Sequence, residues 1–136
     1  KFIFEKLGYN LEPSEISAAF ALVQLKKLNQ NIKKRIDNFN LHLKFFKKYE
    51  NYFVSPEALK GVRTAWLAFP FLLKPNKYFT RKDLQIYLEK KGIQTRVIFT
   101  GNILRQPCMK DFKKVLKHEN FFNADYVMKY GMMVVI

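Results

Sequence analysis

Between Ser14 and Tyr49 apolar residues return every three or four positions: Ile16, Phe20 and Val23, then Leu25, Leu28, Ile32, Ile36, Phe39, Leu43 and Phe46. That is the period of an amphipathic helix, with Ser14 placed to cap its start. Residues 14–49 of a 136-residue chain are a long helix for a compact domain of this size. The pattern predicts either a break near Leu28-Asn29 or a stretch covered by something outside the chain, and a bend with an external partner is the expected outcome.

The remainder reads as short elements. After the Ser55-Pro56 turn, Thr64 to Lys74 has strand composition, and Pro70 within it is expected to mark an edge or a bulge because proline brings no N–H. Thr80 with Asp83 has the spacing of a capping box, opening a helix with Leu84, Tyr87 and Leu88 that Gly92 ends. In the strand Ile93 to Phe99, Ile93, Thr95, Val97 and Phe99 share one face, expected to be core, while Gln94 and Arg96 share the other, which is free to bind. A short basic helix is expected over 110–117. A last helix over 124–130, capped by Asn123 and closed by Gly131, leads to a final strand. The sum is an α+β domain: a long N-terminal helix plus a small, mainly antiparallel sheet of about three strands covered by helices.

Composition narrows the function. The formal net charge is +14 and the basic residues are spread along the chain, so a self-contained nucleic-acid-binding domain is one reading. Helical spacing of the Lys pairs makes solvated faces the better account, and the aromatic residues Phe39, Phe45, Phe46, Phe69, Phe71, Phe121 and Phe122 fit core packing better than base stacking. Cys108 is the single cysteine, and His42 and His118 have no ligand spacing, so no metal site is expected. No apolar run reaches the roughly 18 residues of a bilayer span and no signal peptide is evident, which reads as a soluble cytoplasmic chain. The chain starts on Lys1 and ends within the apolar run Met132 to Ile136. Both ends therefore read as cut, from something longer.

Particular residues carry a resemblance. Gly8-Tyr9-Asn10, Ile16, Ala18-Ala19 and Gln24-Leu25-Lys26-Lys27-Leu28 resemble a signature of the DegT family, the sugar aminotransferases of fold type I pyridoxal phosphate enzymes. Gly92-Ile93-Gln94-Thr95-Arg96 resembles that family's GI-x-TR strand. Phe99-Thr100-Gly101-Asn102-Ile103-Leu104-Arg105-Gln106-Pro107 and Trp66-Leu67-Ala68-Phe69-Pro70 are similar to its dehydratase branch rather than to its aminotransferases.

The resemblance spans the chain and implies the C-terminal small domain of a protein about three times longer, with 1–12 a loop from the large domain and 14–49 a connecting helix. It implies removal of the C3 hydroxyl from a nucleotide-linked 4-keto-6-deoxyhexose, in the making of 3,6-dideoxysugars for lipopolysaccharide O-antigen, with pyridoxal or pyridoxamine phosphate as cofactor. A nucleotide-sugar aminotransferase of the same family is the alternative. The family's cofactor lysine, a histidine in dehydratases, belongs to the large domain, so no catalytic residue is expected here and the piece alone should be inactive. Asn10 is implied to reach the cofactor phosphate of a neighbouring subunit in a homodimer built through the Gly8–Asn10 loop and the long helix. Arg96, Arg105, Asn102 and Trp66 are the candidate substrate-binding residues: guanidinium forks suit phosphate, and Trp66 would border the sugar pocket. Cys108 does not match the cysteines that hold an iron–sulfur cluster in one dehydratase branch, and dependence on such a cluster stays undetermined. Neither nucleic acid nor membrane is an expected partner.

Overall fold

The computed structural model describes residues 9, 11–109 and 121–135. Helix α1 runs over Glu15–Lys47, strand β1 over Phe53–Val54, β2 over Ala68–Leu73, α2 over Arg81–Lys90, β3 over Thr95–Val97, α3 over Phe122–Tyr130 and β4 over Gly131–Val135. Two 3-10 turns, Ile103–Arg105 and Pro107–Met109, lie between β3 and α3. The four strands form one antiparallel sheet in the order β1-β2-β4-β3. The expected α+β architecture is present, with a fourth strand, β1, too short to show any alternation in sequence.

Register explains the core. Phe69 lies opposite Val134 and Phe71 opposite Met132, so these four side chains share one face of the sheet, and all four are buried. Phe39, Leu43 and Phe46 of α1 and Leu84 and Leu88 of α2 pack onto that face. The Phe46 ring centroid sits 4.6 Å from that of Phe71 and 5.0 Å from that of Phe69, and aromatic pairs at such spacings add about 0.5–1.5 kcal/mol each beyond their area. The other face carries Ala68, Pro70, Leu72, Met133 and Arg96.

Several expectations are corrected. α1 is a single unbroken helix, about 50 Å long at 1.5 Å per residue; neither Gly nor Pro occurs between Ser14 and Ser55 to interrupt it. Its burial begins only at Ile32 and follows Ile36, Phe39, Leu43 and Phe46, whereas Ile16 and Phe20 are 81% and 71% exposed. Ser14 stands at the N-cap position without a side-chain capping bond. The strand expected from Thr64 starts at Ala68. Of the two alternatives expected at Pro70, the bulge is absent, since pairing with β4 is continuous from Ala68 to Leu72, and the edge position is present. β1 reaches only Leu72 and Leu73, so Pro70 has no strand on its second side and its missing N–H breaks no ladder.

The capping box forms as predicted: the Asp83 backbone N–H donates to Thr80 Oγ1, and the Thr80 backbone N–H donates to Asp83 Oδ2 at 2.8 Å. Gly92 ends α2 with φ +76°, and Ile93 N donates to Leu88 O and Gly92 N to Glu89 O, a Schellman closure. That closure keeps Ile93 out of β3, and Phe99 belongs to the next turn. The core face expected across 93–99 is thus reduced to the three residues of β3, with Ile93, Val97 and Phe99 exposed. α3 starts at Phe122 with Phe121 at its cap position, so Asn123 lies inside the helix rather than capping it. The basic helix expected over 110–117, His118, and Gly8 and Asn10 of the first loop lie outside the described residues.

Candidate functional site

The segment after β3 turns sharply. Gly101 N donates to Ile98 O at 3.0 Å, closing a turn in which Phe99 takes φ +47° and Gly101 φ +66°. A bulky residue rarely adopts positive φ, and such strain persists only where surrounding contacts impose it. Here the contact is with α3: a Cβ on Gly101 would stand 2.6 Å from both Cα and Cγ of Met128, so only glycine permits the approach. Phe99 itself is 89% exposed.

Asn102 follows and is buried, 4% exposed. Its Oδ1 accepts from Leu104 N at 3.0 Å, starting the 3-10 turn, and its Nδ2 donates to Asp125 Oδ1 at 2.8 Å. At the end of that turn Arg105 donates from Nε to Asp125 Oδ1 at 2.9 Å and from Nη2 to Asp125 Oδ2 at 2.7 Å, a bidentate pair. Gln106 Nε2 braces the loop by donating to Thr100 O at 3.2 Å. Asp125 stands in the first turn of α3. The hydrogen bonds from Arg105 and then Asn102 hold its carboxyl down at about 2, and the hydrogen bond and charge of Asp125 in turn raise the pKa of Arg105. The far end of α3 is fixed as well: Arg81 Nη1 donates to Met128 O at 2.7 Å and to Gly131 O at 3.1 Å, taking up carbonyls that a helix end leaves without partners. Between these two ties lies a cleft of about 350 Å³ lined by Arg81, Val97, Phe99, Gln106 and Met128 among others.

Two of the sequence-predicted residues, Asn102 and Arg105, therefore meet on one carboxylate. Arg96 is exposed on the face of β3 opposite the core, as its alternation predicted. Its strand is held to α2 by Glu89 Oε1, which accepts from Thr95 N at 2.6 Å and Thr95 Oγ1 at 2.8 Å. Trp66 lies apart from these residues, half-buried and stacked on Phe39 with centroids 4.3 Å apart and planes 5° from parallel. It lines a separate cleft of about 810 Å³, with Asn40, Lys47, Arg63 and Lys74 among the other lining residues. Asn10 is outside the described residues. Sequence reasoning missed Asp125; the available signal was an acid in the first turn of a helix, where the dipole favours one. Among the described residues no group of three or more His, Cys, Asp or Glu side chains is placed to hold a metal, and no helix is long and apolar enough to cross a membrane.

Residues 1–134 match the model of the DegT/DnrJ/EryC1/StrS aminotransferase family. The chain belongs to that family. It is 35% identical over 133 residues to a GDP-4-keto-6-deoxy-D-mannose 3-dehydratase of Escherichia coli O55:H7, covering 98% of this chain and 34% of that protein. It is 30% identical over 136 residues to the lipopolysaccharide biosynthesis protein RfbH of Salmonella typhimurium strain LT2, covering 100% of this chain and 31% of that protein. A solved structure of the E. coli GDP-4-keto-6-deoxy-D-mannose 3-dehydratase with bound hydrated PLP superposes with a TM-score of 0.78 at 34% identity, over 99% of this chain and 33% of that one. The chain thus spans about a third of the length of these relatives.

Proposed function

We propose that this chain is the small-domain part of a sugar-nucleotide 3-dehydratase that removes the C3 hydroxyl of a nucleotide-linked 4-keto-6-deoxyhexose for lipopolysaccharide sugars. The observation that carries the reading is the likeness, in sequence and in fold, to the GDP-4-keto-6-deoxy-D-mannose 3-dehydratases, over nearly the whole chain. The cofactor, pyridoxal or pyridoxamine phosphate, would supply the amine and the electron sink. The one residue of this chain assigned to it, Asn10, lies outside the described residues.

What the chain's own residues contribute is binding. Arg105 and Arg96 offer guanidinium donors to diphosphate and sugar oxygens. The indole of Trp66 offers an apolar plane beside Lys47, Arg63 and Lys74. Asn102, engaged at both ends of its amide, holds the turn that carries Arg105. The Gly8–Asn10 loop and the bare first half of α1 would meet a second subunit in a cytoplasmic homodimer.

The test is turnover by the full-length protein supplied with cofactor, an amino-acid donor and GDP-4-keto-6-deoxymannose. A product that keeps its keto group and is one oxygen lighter supports the reading. A product that has gained an amino group would instead make the protein an aminotransferase of this family, and turnover of neither kind refutes both.

A further inference from the structure

A guanidinium presents two forks in one plane: a side-on fork from Nε and Nη2, and an end-on fork from Nη1 and Nη2. Asp125 takes the side-on fork of Arg105 with both of its oxygens. The end-on fork is left without a hydrogen-bond partner among the described residues, on a side chain that is 55% exposed. Because the ion is planar and rigid, fixing one fork fixes the direction of the other.

An ordinary exposed ion pair would not hold this direction, since such pairs are weak and their side chains swing. This one is closed into a ring. Asn102 ties the carboxylate from its buried amide while its Oδ1 starts the 3-10 turn that ends in Arg105, so the acid, its cation and the backbone joining Asn102 to Arg105 are fixed against one another. Asp125 is anchored in turn by α3, against which Gly101 presses and whose far end Arg81 holds.

We propose that Asp125 is a positioning residue that aims the end-on fork of Arg105 at the diphosphate of a nucleoside-diphosphate sugar. The assignment rests on the substrate reading given above. Asp125 touches no substrate atom itself. It removes the freedom that Arg105 would otherwise lose on binding, and immobilising one such side chain is a loss of roughly two- to tenfold in affinity. A carboxylate held near pKa 2 stays charged across the working pH range, so the aim does not depend on pH there.

The test uses the full-length protein, with GDP as probe in calorimetry and the keto sugar nucleotide in steady-state kinetics. Arg105→Ala is expected to weaken GDP by roughly tenfold or more, the scale of hydrogen bonds to a charged group. Asp125→Asn is expected to weaken GDP roughly two- to tenfold, to raise KM by the same factor and to leave kcat within about twofold. Added to Arg105→Ala, it should have no further effect. Arg105→Lys, which keeps the charge and loses the forks, should likewise make GDP affinity insensitive to Asp125→Asn, and this background decides the matter should the single Asp125 variant fold poorly. GDP affinity that is unchanged in Asp125→Asn while kcat and melting temperature fall, or losses that multiply in the double variant, would overturn the assignment and leave the substrate reading standing. A wild-type protein that binds neither GDP nor the keto sugar nucleotide would remove the substrate reading, and this assignment with it.

Discussion

Gly101 and Gly92 offer a controlled comparison, because both sit at positive φ, +66° and +76°, in different surroundings. Alanine in a left-handed conformation costs about 1–2 kcal/mol, and both substitutions incur that. At Gly92 nothing lies within 4 Å of the added Cβ. At Gly101 the same atom would stand 2.6 Å from Met128 Cα, which is helix backbone and cannot swing aside. Overpacking of this kind adds about 1–3 kcal/mol. Gly101→Ala should therefore be the worse substitution by about 1–3 kcal/mol, or roughly five- to hundredfold in a local opening equilibrium. Hydrogen exchange read by mass spectrometry on the full-length protein resolves this, because the loss should appear in peptides covering 98–106 and 122–131. Gly92→Ala should loosen only the end of α2 and the entry to β3. Equal effects of the two substitutions, or a Gly101→Ala effect absent from α3, would refute the description of this loop as pressed onto that helix.

Three further outcomes are expected. Phe71→Ala, at a side chain 2% exposed between Phe46 and Phe53, should cost about 3–5 kcal/mol in chemical denaturation, and a loss below about 1 kcal/mol would contradict its place in the core. Thr80→Ala removes one half of the capping box and should cost about 1 kcal/mol, seen as faster exchange in the first turn of α2 and unchanged exchange in α3. Asp125 has a folded-state pKa of about 2 against an ordinary 3.8, so its contribution to stability is fully present above about pH 4 and fades as pH falls toward 2. Carbonyl NMR of that side chain should show the low midpoint, and titration near 3.8 would mean the clamp is absent in solution.

What could be read from sequence follows from how local each determinant is. The buried stripe of α1 was legible because Ile32, Ile36, Phe39, Leu43 and Phe46 repeat at the period of the helix that carries them. Thr80 with Asp83, and Gly92, were legible because caps are written within three or four residues. The unbroken course of α1 was misjudged by weighing its length above the absence of any breaker between Ser14 and Ser55. β1 was invisible because two residues cannot alternate. Asn123 drew attention as a cap by its residue type, while the helix starts at Phe122 with Phe121 before it. In the candidate site Arg105 and Asn102 were marked, but the acid that joins them is some twenty positions away, at a separation no spacing rule encodes. Only the packing of the loop on α3 makes Asp125 their neighbour.

The sheet order has a consequence for the nascent chain. β4 is the last strand to leave the ribosome, yet it lies inside the sheet between β2 and β3. At about 5–20 residues per second, translating from Lys74 to Tyr130 takes roughly 3 to 11 seconds, and for that interval β2 exists without its main neighbour. The backbone edge of β2 from Ala68 to Leu72 is then unpaired, a hazard for association with other chains. α1 and β1, however, have already been made, and they bring Phe39, Phe46 and Phe53 to the face of β2 that carries Phe69 and Phe71. Helix packing thus covers the apolar face of β2, while the backbone edge that pairs with β4 waits for the last of the four strands.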